Sequence, residues 1–467
     1  MSELTLPDNG VDARSSSVSA AEAASNGARA VRLEATNLEG SFLGKTVAPK
    51  KFASGAESGF AFADLLFGLD LGNAPAFGFA YPDWRGHLDD VFFHPDVSTQ
   101  IEWEPGLDAV IGDYWLKDGT PVPLCPRNLT RKLTDRLASL GFTATVAVEI
   151  EATVFEESIQ EARARGYRGL TPLGGSAGTA YHLAKSKDWY GYMNAVADRL
   201  DAVGIEWEAW SDEDAAGQIE INLAPGDPVK VCDSWARTRQ IMREVAFERG
   251  HTVTFMAKPT EGYGQASHIN ISLQRDGANV FYAEEGPSEA MRHAVGGLLA
   301  TIEGNTSIVL PQITSYRRLV DLSGPPVTAS WGISNKTTAI RAVCGHPSYS
   351  RLEYRVPGAD ANLYLALAGV LAGVIAGLER KIEPPDPVSE MAWCMPPGVG
   401  VERLPDTITK AAAALEADPI LRELLGAEFV DYWVGSRRWE WMQFHTAGGD
   451  PFAELSEWES ARYFELP

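Results

Sequence analysis

The chain has 467 residues, 45% hydrophobic and 22% charged, an ordinary globular composition with room for a large core and about two or three domains. Its formal net charge of −23 opposes binding to nucleic acid or to an anionic membrane surface. Cys125, Cys232, Cys344 and Cys394 lie far apart, with no CxxC pair or histidine spacing of a zinc site, and read as reduced thiols of a cytosolic protein.

Residues 1–31 are rich in Ser and Ala and lack an apolar run, which predicts a disordered tail rather than a targeting signal. No apolar stretch reaches the roughly 18 residues that a membrane span needs. From Val31 to Pro126 the sequence reads as short strands broken by turns, with Gly/Pro-rich stretches at Gly72–Gly78 and Trp103–Gly106. Residues 127–141 are predicted helical, with Gly141 as their stop. Strands and helices then alternate. Asp188–Val203 is predicted to be a helix, with Tyr192, Val196, Leu200 and Val203 on one face and Gly204 after it. The C-terminal stretch reads as helical, its Trp433, Trp439, Trp441 and Trp458 spaced for core packing.

Four predicted strands share an unusual alternation. Successive side chains of a strand point to opposite faces. In Val146–Val154 the apolar residues Val146, Val148, Ile150, Ala152 and Val154 therefore oppose Glu149 and Glu151. In Ile219–Leu223, Ile219, Ile221 and Leu223 oppose Glu220 and Asn222. In Ser267–Leu273, Ile269, Ile271 and Leu273 oppose His268, Asn270 and Ser272, and in Arg351–Val356, Leu352, Tyr354 and Val356 oppose Arg351, Glu353 and Arg355. A wet face of a one-sided sheet would give the same alternation. Such a face commonly carries Lys and Gln, and these four carry neither. Carboxylates with a single histidine suit Mg²⁺ or Mn²⁺ rather than zinc or copper. Hard cations neutralise phosphate oxygens and nearby arginines clamp a transferred group, so the pattern points to metal-assisted phosphoryl transfer. No Walker-type GxxxxGK[ST] accompanies it.

The segments Val148-Glu-Ile-Glu-Ala-Thr-Val-Phe155, Glu213-Asp-Ala-Ala-Gly-Gln-Ile-Glu220, Ser315-Tyr-Arg-Arg-Leu319, Trp331-Gly-Ile-Ser-Asn335 and Arg351-Leu-Glu-Tyr-Arg-Val-Pro-Gly-Ala-Asp-Ala-Asn362 resemble the signatures of the glutamine synthetase family, in the family's order and spacing. The resemblance implies an α+β fold, with a β-grasp domain over 32–126 and a catalytic domain over 127–467 built on a curved antiparallel sheet. It also implies a homo-oligomer, a double-ringed dodecamer with active sites between neighbouring subunits. In such enzymes ATP phosphorylates the γ-carboxylate of L-glutamate, and an amine attacks the acyl phosphate. Phosphorylation supplies the leaving group that a carboxylate lacks.

By the same resemblance, Glu151, Glu213 and Glu220 match the first metal site, and Glu149, His268 and Glu353 the second, for Mg²⁺ or Mn²⁺. Arg318 and Arg355 match the clamps on glutamate and the γ-phosphoryl group, and Gly264 a backbone contact to glutamate. Arg341, Arg351 and Lys336 fall on the ATP phosphates, Glu208 on the ribose, and Asn270 and Ser272 on the nucleotide side.

The departures cluster around the phosphate and the amine. The family's His-x-His reads His268-Ile-Asn270, its Gly-Ser-Gly reads Gly264-Gln-Ala266, the preceding Asn is Tyr263, and Lys336 replaces an arginine. Where ammonia-using members carry a loop Glu, the chain reads Leu319-Val-Asp-Leu-Ser-Gly-Pro-Pro326, with Gly324 at the aligned position and Asp321 as the nearest carboxylate. In place of the N-terminal Asp-Gly-Ser-Ser stands Phe79-Ala-Tyr-Pro-Asp-Trp-Arg-Gly86, which puts Tyr81 and Trp84 beside the expected amine pocket. Losing these carboxylates removes the charge that holds a small cation and leaves aromatics, so the expected acceptor is an organic amine, of aniline type or a small alkyl amine. Ammonia, a polyamine and a non-catalytic role are the alternatives. Arg380–Gly400 contains no tyrosine, so adenylylation of that loop is not expected.

Overall fold

The computed structural model describes residues 27–76, 88–178, 180–395, 401–451, 453 and 455–465. Phe79, Tyr81 and Trp84 lie outside the described residues. The predicted tail overlaps a strand at its end, because Ala30 and Val31 belong to one.

The N-terminal part is a six-stranded mixed sheet. Its strands are β1 (Ala30–Thr36), β2 (Phe42–Val47), β3 (Phe60–Ala63), β4 (Asp90–Pro95), β5 (Ile101–Glu104) and β6 (Leu107–Trp115), in the order β2-β1-β6-β4-β3 with β5 also on β6. β1 and β6 run parallel. A short helix, Pro49–Gly55, interrupts the predicted run of strands. Pro at its first turn and buried Phe52 hold it, and so brief an apolar signal gives no helical period to read.

The second sheet comprises β7 (Thr143–Phe155), β8 (Trp207–Asp212), β9 (Gln218–Leu223), β10 (Thr252–Thr254), β11 (Ile269–Arg275), β12 (Ala278–Asn279), β13 (Trp331–Ile333), β14 (Ile340–Val343) and β15 (Arg351–Tyr354). Their order is β13-β14-β15-β11-β7-β9-β8, with β10 on β7 and β12 on β11. All pairs are antiparallel except β13 with β14. The four polar-faced strands of the sequence are thus neighbours, β15-β11-β7-β9. The third begins at Ile269 rather than Ser267, although His268 still aligns with Glu149 through the bond from the Glu149 N–H to the His268 carbonyl.

The long strand β7 anchors the sheet. Its first half pairs with β11 and its second with β9. Val146, Val148, Ile150, Ala152 and Val154 are buried, and the helices Pro126–Ser139 and Pro228–Glu248 pack on β7. Burial of that row contributes about 25 cal/mol per Å² of apolar surface and fixes which face is left for the polar residues. Helices Glu289–Val309 and Leu363–Arg380 pack together nearby. A methyl group on Gly297 would stand 2.0 Å from the Gly373 carbonyl oxygen, so only glycine permits this approach. Leu363–Arg380 is apolar and long enough to cross a membrane by composition, and 83% of it is buried inside the protein as a core helix.

The predicted helix at Asp188 begins earlier, at Leu183, and ends at Ala202. His182 provides no side-chain cap, which explains the missing start signal. Cys125, Cys232 and Cys344 are free thiols.

Candidate active site

Cross-strand register places the polar residues on one face. Glu353 stands opposite both Asn270 and Arg341, Glu149 opposite Asn222, and Glu151 opposite Glu220. Among the described residues, Glu149, His268 and Glu353 form the group of three ligating side chains whose donor atoms all lie within 4.8 Å of one another. His268 Nδ1 is 2.6 Å from Glu149 Oε2, and Asn270 donates its amide to Glu149 Oε1 at 3.0 Å. Glu353 accepts from Arg341 at 2.7 Å and is also bridged by Arg355. Burial pushes the Glu353 carboxyl up, but His268, Arg355 and Arg341 outweigh it and hold it at about 2. Burial likewise raises Glu149, and His268 brings it below the usual carboxylate range.

Glu151, Glu213 and Glu220 form a second acidic group, not drawn to the spacing of the first. Burial, then Glu151, Glu220 and Asp214, lift Glu213 to about 8. Burial, Glu149 and Glu151 lift Glu220 to about 7. Carboxylates that raise one another in this way fit a divalent cation, whose charge would relieve their repulsion. One imidazole among oxygen donors fits Mg²⁺ or Mn²⁺.

Supporting residues hold these groups. Gln218 donates to Glu151 Oε2 at 2.7 Å, the Ala266 N–H donates to the same oxygen at 2.7 Å, and Asn222 donates to Glu220 at 3.0 Å. Gln218 was not singled out by sequence, although its place on the polar face of β9, two residues before Glu220, carried the same alternation. Tyr181 also escaped notice. It is 71% exposed at φ +61°, and Glu213 first, then burial and Glu220, raise its hydroxyl, which puts it within electrostatic reach of the acidic group. A bulky residue at positive φ marks a conformation that its surroundings enforce.

The arginines divide. Arg318 is buried, donates to the Val356 carbonyl at 3.3 Å and leaves its Nε without a partner. A methyl group on Gly264 would fall 2.4 Å from Arg318 Cγ, so Gly264 makes room for that side chain. Arg351 donates to Asn270 Oδ1 at 2.9 Å, which ties it to the polar face. Ser272 lies on that face beyond Asn270. Glu208 is exposed at a bulge at the far end of β8 from Glu213, and Lys336 is exposed in the turn between β13 and β14. Asp321 is exposed and bound to Arg403 at 3.1 Å, and Gly324 is exposed at φ +103°.

Residues 123–463 match the family described as glutamine synthetase, catalytic domain. The chain is 31% identical over 446 residues to the glutamate–isopropylamine ligase of a Pseudomonas species, covering 93% of this chain and 95% of that protein. It is 30% identical to the γ-glutamylethanolamide synthetase of Streptomyces coelicolor over 92% of this chain and 91% of the relative. It is equally 30% identical to the glutamine synthetase of Thermococcus kodakarensis, covering 93% and 96%. A solved GmaS–ADP complex superposes with a TM-score of 0.81 at 26% identity, over 95% of this chain and 98% of the other.

Proposed function

The chain belongs to the glutamine synthetase family and is a glutamate ligase, and from that premise we propose that it joins the γ-carboxylate of L-glutamate to an organic amine at the expense of ATP. Arg318 and Gly264 would seat glutamate, and Arg341, Arg351 and Arg355 would hold phosphate oxygens as the γ-phosphoryl group passes to the carboxylate. Glu149, His268 and Glu353, with Glu151, Glu213 and Glu220, would hold Mg²⁺ or Mn²⁺. These ions supply charge neutralisation on the phosphates. The amine would then attack the acyl phosphate and release phosphate.

The observation that carries the choice of amine is the loop after Arg318. Its one carboxylate, Asp321, is engaged by Arg403, and the same loop exposes Val320 (50%) and Leu322 (61%). A loop that offers apolar side chains and no free carboxylate favours a hydrocarbon-bearing amine over a small cation. The relatives named for isopropylamine and ethanolamide formation support the same reading.

Phosphate release with glutamate, ATP, Mg²⁺ and a panel of ammonium, ethylamine, isopropylamine, aniline and putrescine tests it. A monoamine with an apolar group is expected to exceed ammonium in kcat/KM by about tenfold or more, a difference of about 1.4 kcal/mol in transition-state binding. Ammonium as the best acceptor would refute the proposal.

A further inference from the structure

Arg317 and Arg318 are adjacent in sequence but serve different places. Arg318 lies against Gly264, whereas Arg317 turns to Glu459 at 2.7 Å and lines a separate cavity of about 480 Å³. That volume is within the usual range for a small-molecule site, roughly 300–1,000 Å³. The cavity wall is largely apolar, built from Ile313, Tyr316, Leu319, Ile408, Trp441 and Leu455.

Its charges are uneven. Arg317 is matched by Glu459, Lys410 is matched by Asp406 at 2.7 Å, and Glu261 is exposed to solvent. The ammonium of Lys258 is half-buried and makes no hydrogen bond or ion pair among the described residues, with Arg317 and Arg318 near enough to disfavour its charge. A half-buried cation without a counter-charge, on the wall of an apolar chamber, is complementary to one kind of small molecule.

We propose that this cavity is a second ligand site, distinct from the metal-bearing face, that takes a small carboxylic acid with an apolar body, its carboxylate on Lys258 and its body against Trp441 and Leu319. Leu319 and Val320, which follow Arg318, line the cavity, so an occupant would touch the side of the amine loop that faces away from the metal-bearing face.

Quenching of tryptophan fluorescence by 2-naphthoate, with 2-naphthalenemethanol as the uncharged counterpart, tests the site in the full-length protein. The acid is expected to bind saturably and about tenfold more tightly than the alcohol, the usual weight of a hydrogen bond to a charged group. Lys258→Gln should remove that preference, Lys258→Arg should keep it, and Ala453→Trp should block both probes. Saturating L-glutamate and ADP should not displace either probe. Displacement by either, the absence of saturable binding, or an acid preference that survives Lys258→Gln would overturn the proposal. The ligase reading can stand or fall independently, because its assay contains neither probe.

Discussion

In the metal-free protein Glu213, pushed to about 8, and Glu220, pushed to about 7, still hold protons near pH 6. Ligation requires both as carboxylates, so metal binding there must expel protons. Calorimetric titration with Mn²⁺ in buffers of different ionisation enthalpy should show release of about two protons near pH 6, falling towards none near pH 9. The metal affinity should rise over the same interval. Stability carries the opposite sign. Both groups bind protons more tightly folded than unfolded, so they contribute nothing below the usual carboxylate range near 4.5. From there they cost metal-free stability progressively as pH rises to about 8, and Mn²⁺ should restore the loss. At the clamp, Gly264→Ala should displace Arg318 and raise the glutamate KM by about tenfold, alongside the loss of Tm that forcing a methyl against Arg318 and the Ala257 carbonyl brings. Glu149, Glu151, Glu220, Glu353 and His268 were legible in the sequence because a strand repeats every two residues. Glu213 sits in the turn after β8, outside any alternation, and only the family motif singled it out. The positive φ and exposure of Tyr181 are properties of a folded turn with no one-dimensional signature.

The two faces of β7 can be separated by mutation. Ile150→Ala removes a fully buried side chain and should cost about 2–5 kcal/mol, while Mn²⁺ affinity stays close to that of the unchanged protein. Glu149→Ala should abolish Mn²⁺-dependent ATP turnover while costing less metal-free stability than Ile150→Ala, a loss limited to its contacts with His268 and Asn270. If Ile150→Ala removed turnover as completely as Glu149→Ala at a temperature where both are folded, the division of labour between the faces would be wrong. The alternation that foretold β7, β9, β11 and β15 did not foretell that they would be neighbours, since pairing order depends on long-range register. The short helix Pro49–Gly55 and the uncapped start at Leu183 were hidden for a different reason. Neither carries a side-chain cap, the usual written mark of a helix start.

Across the whole chain, the polar sheet face, the apolar loop after Arg318 and the cavity beside Arg317 are features of one subunit. The family resemblance adds the expectation of a dodecamer, and sedimentation should find a particle of about twelve chains. All of this depends on cations gathering where β15, β11, β7 and β9 present their carboxylates. The most direct test is a crystal grown with Mn²⁺ and ADP and measured at the manganese absorption edge. Anomalous peaks within coordination distance of Glu149, His268 and Glu353, and of Glu151, Glu213 and Glu220, are the predicted result. Manganese bound elsewhere, with those six side chains unligated, would contradict the account.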